Sequence, residues 1–270
     1  MPHLHELSYA RDATIAAIRD YYHFLTKMYL PTSAIIEPPP DGWPTITADS
    51  LRPLGKTDEV IALLRHLPYI CEPSDDSDRM QGAPYCYFAD YRSGRFDPAL
   101  REGRGGDVRI LAEGPDYEQV PAHVVGLTKS GRDNPTFLLD TQLGIVHWAN
   151  GCPDGPRTHP SREQIVDEPE DYAPKSEVGW RSDAPAWSVA DFFELLKDEF
   201  SALHFVPINS KSALDTYAYF SEEEAGLVPM LQSIYRDCGW PDLNAYKKER
   251  CLEAVRKPLE EHYLGYVDYL

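Results

Sequence analysis

Three side chains in the middle of the chain have types that suit acid–base chemistry, namely His123, Asp140 and His147. Imidazole titrates near neutral pH and a carboxylate accepts a proton, so a histidine beside Asp140 would be a candidate general acid or base. His147 stands between Val146 and Trp148, and a histidine in such an apolar run is also typical of a packed strand. No further residue stands at a spacing that would complete a catalytic set, so the three are weak catalytic candidates.

The dipeptide Asp140-Thr141 ends an apolar run, which is the setting of the catalytic aspartate in pepsin-like proteases. Their motif has glycine where this chain has Gln142, and they need a second copy of it, because two carboxylates share one proton. The chain has no second copy. A hairpin over residues 140–144 explains the same residues, because Asp140 can accept backbone N–H groups and Gly144 can adopt positive φ. The turn is therefore the favoured interpretation.

A basic, glycine-rich segment interrupts the acidic chain at residues 92–107, RSGRFDPALREGRGGD. Guanidinium groups and backbone N–H groups together can hold a phosphate or a carboxylate. The segment lacks the GxxxxGK[ST] arrangement of a phosphate-binding loop, and a solvated loop is the favoured interpretation. The candidate anion-binding residues are Arg92, Arg95, Arg101 and Arg104.

Large aromatic side chains are the remaining candidates for recognition. Each of Trp43, Trp148, Trp180 and Trp187 taken singly fits a core position, since indole rings bury much apolar area. Trp180 and Trp187 flank a polar loop, however, and tryptophan is enriched at protein interfaces. We take Trp148, Trp180 and Trp187, together with Asp140, as candidate binding residues.

No residue pattern indicates a metal ion or a cofactor. The acidic runs at residues 74–78 and 167–171 lack the spacing and the glycine of an EF-hand, and His3, His5 and Glu6 lie at a terminus expected to be mobile. The five cysteines are odd in number and widely spaced, with no CxxC pair. We therefore expect free thiols in a reducing compartment.

The charge balance narrows the class of partner. The chain has 44 acidic and 26 basic residues and a net charge of −18, which repels phosphate backbones and anionic membrane surfaces. A basic protein partner, a cation or a neutral small molecule fits this charge better than a nucleic acid or a membrane. The first residues lack the apolar core of a secretory signal and no stretch is long enough to span a membrane, so a cytoplasmic protein is expected.

The elements that position these residues follow from hydrophobic periodicity. Apolar residues at three- and four-residue spacing predict helices at residues 8–30 and 57–66, and Pro31 ends the first. Alternating runs predict strands in YCYFADY, VRILAEG, HVVGLTKS, TFLLD and GIVHWAN, which form an antiparallel or mixed sheet of about five to six strands within residues 84–150. Residues 151–176 are predicted to form a polar loop.

The second half of the chain reads as mainly helical. SVADFFELLKDEF predicts a helix in which Ser188 is the N-cap and Asp191 completes a capping box. Two further helices, at about 221–238 and 242–264, are separated by CGWPD, where Gly239 and Pro241 give a stop and a restart.

The run over residues 121–206 resembles the SUKH superfamily, which contains fungal cell-wall-assembly regulators and many bacterial toxin-immunity proteins. VPAHVVGLTKSGRDNPTFLLDTQLGIVHW looks like that family's strands, which end in an Asp-x-x-x-Gly hairpin, and SVADFFELLKDEF looks like its closing helix. KTDEVIALLRHLPYI is similar to the family's early helical region. The chain as a whole is also similar to a set of filamentous-fungal proteins. Roughly a third to a half of the chain is covered, since the first 50 residues and those after 215 have no counterpart.

The resemblance implies an α+β fold and a protein-binding or regulatory role without catalysis. It also implies a core at residues 51–210, with an N-terminal helix and proline-rich connection at 1–50 and a C-terminal helical pair at 211–270, in one compact unit. Two alternatives stay open. One is an enzyme that uses Asp140, His147 or His123 as acid or base, and the other is an anion-binding module that uses the arginines of residues 92–104.

Overall fold

The computed structural model describes residues 2–71, 79–92, 96–129 and 134–269 and has an α+β fold, as predicted. The helices are α1 (Arg11–Met28), α2 (Asp58–His66), α3 (Asp97–Arg101), α4 (Gly105–Glu113), α5 (Asp154–Arg157), α6 (Pro169–Tyr172), α7 (Lys175–Asp183), α8 (Val189–Ser201), α9 (Leu227–Asp237) and α10 (Lys248–His262). The strands are β1 (Ile35–Ile36), β2 (Tyr69–Ile70), β3 (Val124–Gly126), β4 (Thr136–Asp140), β5 (Ile145–Asn150), β6 (Ala186–Ser188), β7 (Phe205–Pro207) and β8 (Ala213–Asp215).

The main sheet is antiparallel and has the strand order β3-β4-β5-β6. Its first three strands are the predicted HVVGLTKS, TFLLD and GIVHWAN, and Leu138 pairs with His147 across β4 and β5. The fourth strand, β6, pairs Trp187 with Val146 and leads directly into α8. In the described residues β1–β2 and β7–β8 form two further pairs.

Two predicted strands are wrong. VRILAEG belongs to α4, in which Val108 and Ala112 are buried at a spacing of one helical turn while Ile110 and Leu111 are exposed. YCYFADY forms only the isolated bridges Ala83–Cys86 and Phe88–Thr128. The described part of residues 84–150 therefore has three strands instead of five to six.

Predicted loops and helices also shift. Residues 151–176, predicted as a loop, contain α5, α6 and the first residues of α7. The helices α1, α2, α8, α9 and α10 lie at the predicted places with slightly different ends. Ser188 caps α8 as predicted, because its Oγ accepts a hydrogen bond from the backbone N–H of Asp191 at 3.1 Å. No helix in the described residues is both long enough and apolar enough to cross a bilayer.

The two faces of the sheet have different partners because side chains alternate along each strand. One face carries Val125, Phe137, Leu139, Val146, Trp148 and Trp187, and it belongs to the main apolar core. There the rings of Phe137 and Phe192 of α8 lie 4.8 Å apart, and α8 in turn packs on α1. The other face, called here the outer face, carries Leu138, Asp140 and His147 and is covered by α4 and α7.

The C-terminal helices dock on the end of α1. Lys248 Nζ donates to the carbonyl oxygens of Thr26 (2.9 Å) and Leu30 (2.6 Å), and Tyr246 Oη donates to Met28 at 2.9 Å. Trp240 Nε1 donates to the carbonyl oxygen of Phe200 at 3.1 Å. One apolar cluster consequently runs from α1 through α8 into α9 and α10.

Close packing of α4 on β3 depends on Gly126. A Cβ at this position would lie 1.9 Å from the carbonyl oxygen of Ala112, so we expect Gly126→Ala to lower the free energy of unfolding by about 3 kcal/mol through overpacking. Gly179 of α7 is the control, because a Cβ there meets nothing within 4 Å. Gly179→Ala should raise stability by about 0.5–1 kcal/mol. Urea denaturation measures both, and equal effects would contradict the packing.

Candidate functional site

The hairpin between β4 and β5 is organised by Asp140. Its Oδ1 accepts the backbone N–H groups of Gln142 and Leu143, each at 2.9 Å, and Gly144 has φ +72°. Asp140 thus holds the turn as the sequence predicted, while its second oxygen faces the protein interior.

Arg181 of α7 brings two of the predicted candidates into one buried cluster. Its Nη2 donates to Asp140 Oδ2 at 2.9 Å and to Glu177 Oε2 at 2.8 Å. Its Nη1 lies 3.1 Å from His147 Nε2. His123 approaches from the edge, with Nε2 3.6 Å from Asp140 Oδ2. We call His123, Asp140, His147, Glu177 and Arg181 the Arg181 cluster.

The hydrogen bonds fix the state of His147. Arginine only donates and a backbone carbonyl only accepts, so Nε2 accepts from Arg181 while Nδ1–H donates to the carbonyl oxygen of Ala184 at 3.2 Å. Burial and the positive charge of Arg181 together lower the pKa of His147 to about 4. His147 is therefore neutral at pH 7, and both ring nitrogens are occupied.

Asp140 is held in its ionised form. Burial opposes the charge, but the nearby His123, the backbone N–H of Leu143 and the guanidinium of Arg181 outweigh it and lower the pKa of Asp140 to about 2. A carboxylate so stabilised is a poor proton acceptor at neutral pH. The structure brings His123, Asp140 and His147 together, but Asp140 and His147 are buried and fully bonded, so the geometry supports a structural role for the cluster.

Arg181 and Glu177 were missed in the sequence because no helix was predicted over residues 175–183. A signal for them is present: the two stand four residues apart, the spacing of an ion pair on one helical face, and Lys175 and Trp180 belong to the same helix. With that helix predicted, Arg181 could have been proposed as the cation that pairs with Asp140.

The predicted tryptophans are mostly buried. Trp187 and Trp148 are 0% and 2% exposed in the main core, which argues against the interface role predicted for them. Trp180 is 7% exposed and covers the outer face, where its ring lies 5.0 Å from the ring of His147. The guanidinium of Arg181 stands 4.5 Å from the centre of the same indole.

The three predicted anion-binding arginines that the structure describes each pair with a carboxylate close to them in the sequence. Arg92 pairs with Asp90 at 2.7 Å and lies over the ring of Trp43, whereas Arg101 pairs with Asp97 at 2.5 Å. Arg104 forms ion pairs with Glu102 and Asp107. Arg95 lies outside the described residues. Each described guanidinium is thus engaged with a carboxylate of its own chain.

Metal-binding geometry is not found in the described part of the chain. No group of three or more histidine, cysteine, aspartate or glutamate side chains is arranged to hold an ion there. The acidic run at residues 74–78 lies outside the described residues, and His3 instead pairs with Asp167 at 3.3 Å. All five cysteines are free thiols, as expected from their spacing.

A cavity of about 340 Å³ opens on the outer face between the end of α4 and the end of α7. We call it the α4–α7 cavity. Its apolar wall comprises Val120, Leu138, Ala149 and Trp180, and its polar lining comprises Glu113, Asp116, Thr136, Asn150 and Asp183. Gly114 and Pro115 complete the lining.

Of the carboxylates in this lining, Glu113 is balanced by internal cations. Lys56 Nζ lies 2.6 Å from one of its oxygens and Arg109 Nε lies 2.8 Å from the other. Burial lowers the pKa of Lys56 to about 8, against the opposing charge of Glu113. In contrast, the exposed side chains of Asp116 and Asp183 form no ion pair or hydrogen bond with any described residue.

Acidic side chains dominate the surface of the segments that cover the outer face. Helix α7 packs against both α6 and the 3-10 helix Tyr117–Gln119. The exposed carboxylates of this region are Asp116, Glu118, Glu168, Glu170, Asp171 and Asp183, and we call this surface the acidic face. Lys175 is the one exposed cation on residues 115–120 and 167–183, since Arg181 is buried.

We expect Arg181→Met to lower the free energy of unfolding by about 3–5 kcal/mol, because it leaves Asp140 and Glu177 buried without their cation. Adding Glu177→Gln should recover part of the loss by removing one of the two charges. The exposed Arg236 is the control, and Arg236→Met should change stability by no more than about 0.5 kcal/mol. Urea denaturation of the variants would contradict the cluster if Arg181→Met matched Arg236→Met.

The lowered pKa of His147 predicts acid sensitivity. Below its ordinary pKa of 6.5 the unfolded chain binds a proton that the folded protein rejects, so stability falls as the pH drops from 6.5 towards 4. The shift corresponds to about 3 kcal/mol over that window. Unfolding free energies of His147→Gln should fall less steeply than those of the wild type, while the exposed His262→Gln should follow the wild type. Parallel slopes for all three would contradict the prediction.

Comparison with known proteins gives no family model, no curated protein and no solved structure that matches this chain. The resemblance to the SUKH superfamily therefore rests on the sequence pattern quoted above.

Proposed function

We propose that this chain is a non-catalytic, cytoplasmic interaction or regulatory module of SUKH type, which binds a protein partner that has a basic surface. The contact is made by the acidic face. The single observation that carries the proposal is the charge of that face, where six exposed carboxylates are accompanied by one exposed ammonium group.

The state of the Arg181 cluster favours binding over catalysis. A general base needs a free nitrogen or oxygen that a substrate can reach, and a pKa near the working pH. His147 donates to Ala184 and accepts from Arg181, while the pKa of Asp140 is lowered to about 2. The acid–base alternative from the sequence therefore loses its two central residues.

The fold around the acidic face is consistent with a rigid platform. The hairpin at Asp140 joins β4 to β5, β6 leads into α8, and α7 is fixed to the sheet through the Arg181 cluster. This is the same strand–hairpin–helix run that carries the resemblance to the SUKH superfamily. Carboxylates on a rigid surface steer a basic partner and set the specificity of its docking.

The test uses two variants with equal changes in charge. The first carries Glu168→Lys, Glu170→Lys and Asp171→Lys on the acidic face. The control carries Glu223→Lys, Asp237→Lys and Glu249→Lys. All three positions are exposed: Glu223 lies before α9, Asp237 is the last residue of α9, and Glu249 lies in α10. Immobilised wild-type chain is incubated with extract of its source cells, and proteins retained by the wild type and the control are compared with those retained by the first variant.

We expect a retained protein with a basic surface that the acidic-face variant loses and the control keeps. With that partner purified, the acidic-face substitutions should weaken binding at least about tenfold, and added salt should weaken the wild-type complex. The proposal fails if no retained protein depends on the acidic face, or if both variants lose binding equally.

A further inference from the structure

We infer that the α4–α7 cavity receives a single lysine or arginine side chain of the partner. This inference rests on the proposed function and deepens it, because it names the group that the acidic face recognises and the place where that group enters. Volume, wall chemistry and charge each contribute to the assignment.

The cavity has the size and the wall of a side-chain pocket. Its volume of about 340 Å³ is near the lower end of the range for small-ligand sites, which suits one long side chain. Leu138, Ala149 and Trp180 form an apolar surface against which methylene groups can pack. Lysine and arginine carry such a stem beneath a charged head.

The charge of the lining selects a cation. None of its side chains is a lysine, arginine or histidine, and the charge of Glu113 is already balanced by Lys56 and Arg109. Asp116 and Asp183 supply two further carboxylates without cations of their own among the described residues. Asp183 is also the last residue of α7, where the free carbonyl groups of the helix end add negative potential.

The hydroxyl of Thr136 is a further polar group on the cavity wall. Thr136 is 3% exposed and lines the cavity, and its Oγ1 forms no hydrogen bond with any residue that the structure describes. A hydroxyl oxygen accepts N–H donors, so an ammonium or guanidinium group would complete its bonding.

The carboxylates of the lining favour a cation over the other occupants. An anion would face Asp116 and Asp183 without a compensating cation. A calcium or magnesium ion takes six or more oxygen ligands, and the described residues contain no group of three or more histidine, cysteine, aspartate or glutamate side chains arranged to hold a metal ion. A neutral apolar side chain would form no ion pair with the two aspartates and no hydrogen bond with the Thr136 hydroxyl.

The experiment uses three capped amino acids as free probes. Nα-acetyl-lysine methylamide and Nα-acetyl-arginine methylamide carry the cation, and Nα-acetyl-norleucine methylamide carries a stem of similar length without it. Binding is followed by the indole ¹H–¹⁵N signal of Trp180, assigned with Trp180→Phe. We expect one or both cations to shift this signal with a dissociation constant of about 1 mM, the strength usual for so small a ligand, and norleucine to leave it unchanged.

Asp116→Asn with Asp183→Asn should weaken the binding of the cation probes at least about tenfold. Glu118→Gln is the matched control, because Glu118 is an exposed acid close to Asp116 that does not line the cavity. Equal binding of norleucine, unchanged binding in the double variant, or no shift with either cation up to about ten times the expected constant would overturn the inference.

The last part of the experiment uses the partner protein. The double variant Asp116→Asn with Asp183→Asn should also weaken the partner complex, and excess lysine probe should compete with the partner. If the partner depends on Glu168, Glu170 and Asp171 but is indifferent to the double variant, the cavity assignment is overturned and the proposed function stands. If no protein depends on the acidic face, the proposed function itself fails.

Discussion

The charge of Asp140 has to be balanced inside the protein, because the hairpin places this carboxylate at the end of β4 and α7 covers it. One oxygen accepts backbone N–H groups of the turn, and the other accepts a hydrogen bond from the guanidinium of Arg181. The hairpin fixes the register of β4 and β5, and the same residue decides where α7 lies. The Trp180 wall and the position of Asp183 follow from that placement. Local turn chemistry in the sheet thereby determines the shape of the surface that we assign to the partner.

Sequence patterns were informative where the signal is local. The caps of α2 and α8, the Asp140–Gly144 turn and the break between α9 and α10 are each specified by a few neighbouring residues. Sequence patterns gave the wrong element at α4, because a short apolar run was taken for an alternating strand. This helix packs closely on β3, which requires the glycine at position 126. The patterns also failed for Glu177 and Arg181. The ion pair between Arg181 and Asp140 spans 41 residues, and a polar helix as short as α7 carries little periodic signal.

The distribution of charge divides the ionisable residues into two populations. Inside, Asp140, Glu113, Lys56 and Arg181 are satisfied by one another at distances below 3 Å, and they act as internal cross-links between helices and sheet. On the surface many carboxylates are exposed to solvent, and the segments of the acidic face carry one exposed cation, Lys175, beside six carboxylates. A net charge of −18 is compatible with a stable core because the buried charges are paired with one another. Recognition can then vary on the surface without disturbing the interior.

The C-terminal carbonyl groups of α1 are satisfied by Tyr246 and Lys248, residues that lie more than two hundred positions later in the chain. The ribosome delivers α1 before these partners. During synthesis the end of α1 and the apolar surface beside it, later covered by Trp240 and α10, stay open to water. The contacts at the end of α1 therefore form only after Tyr246 and Lys248 have emerged, so this part of the core depends on pairing across more than two hundred residues.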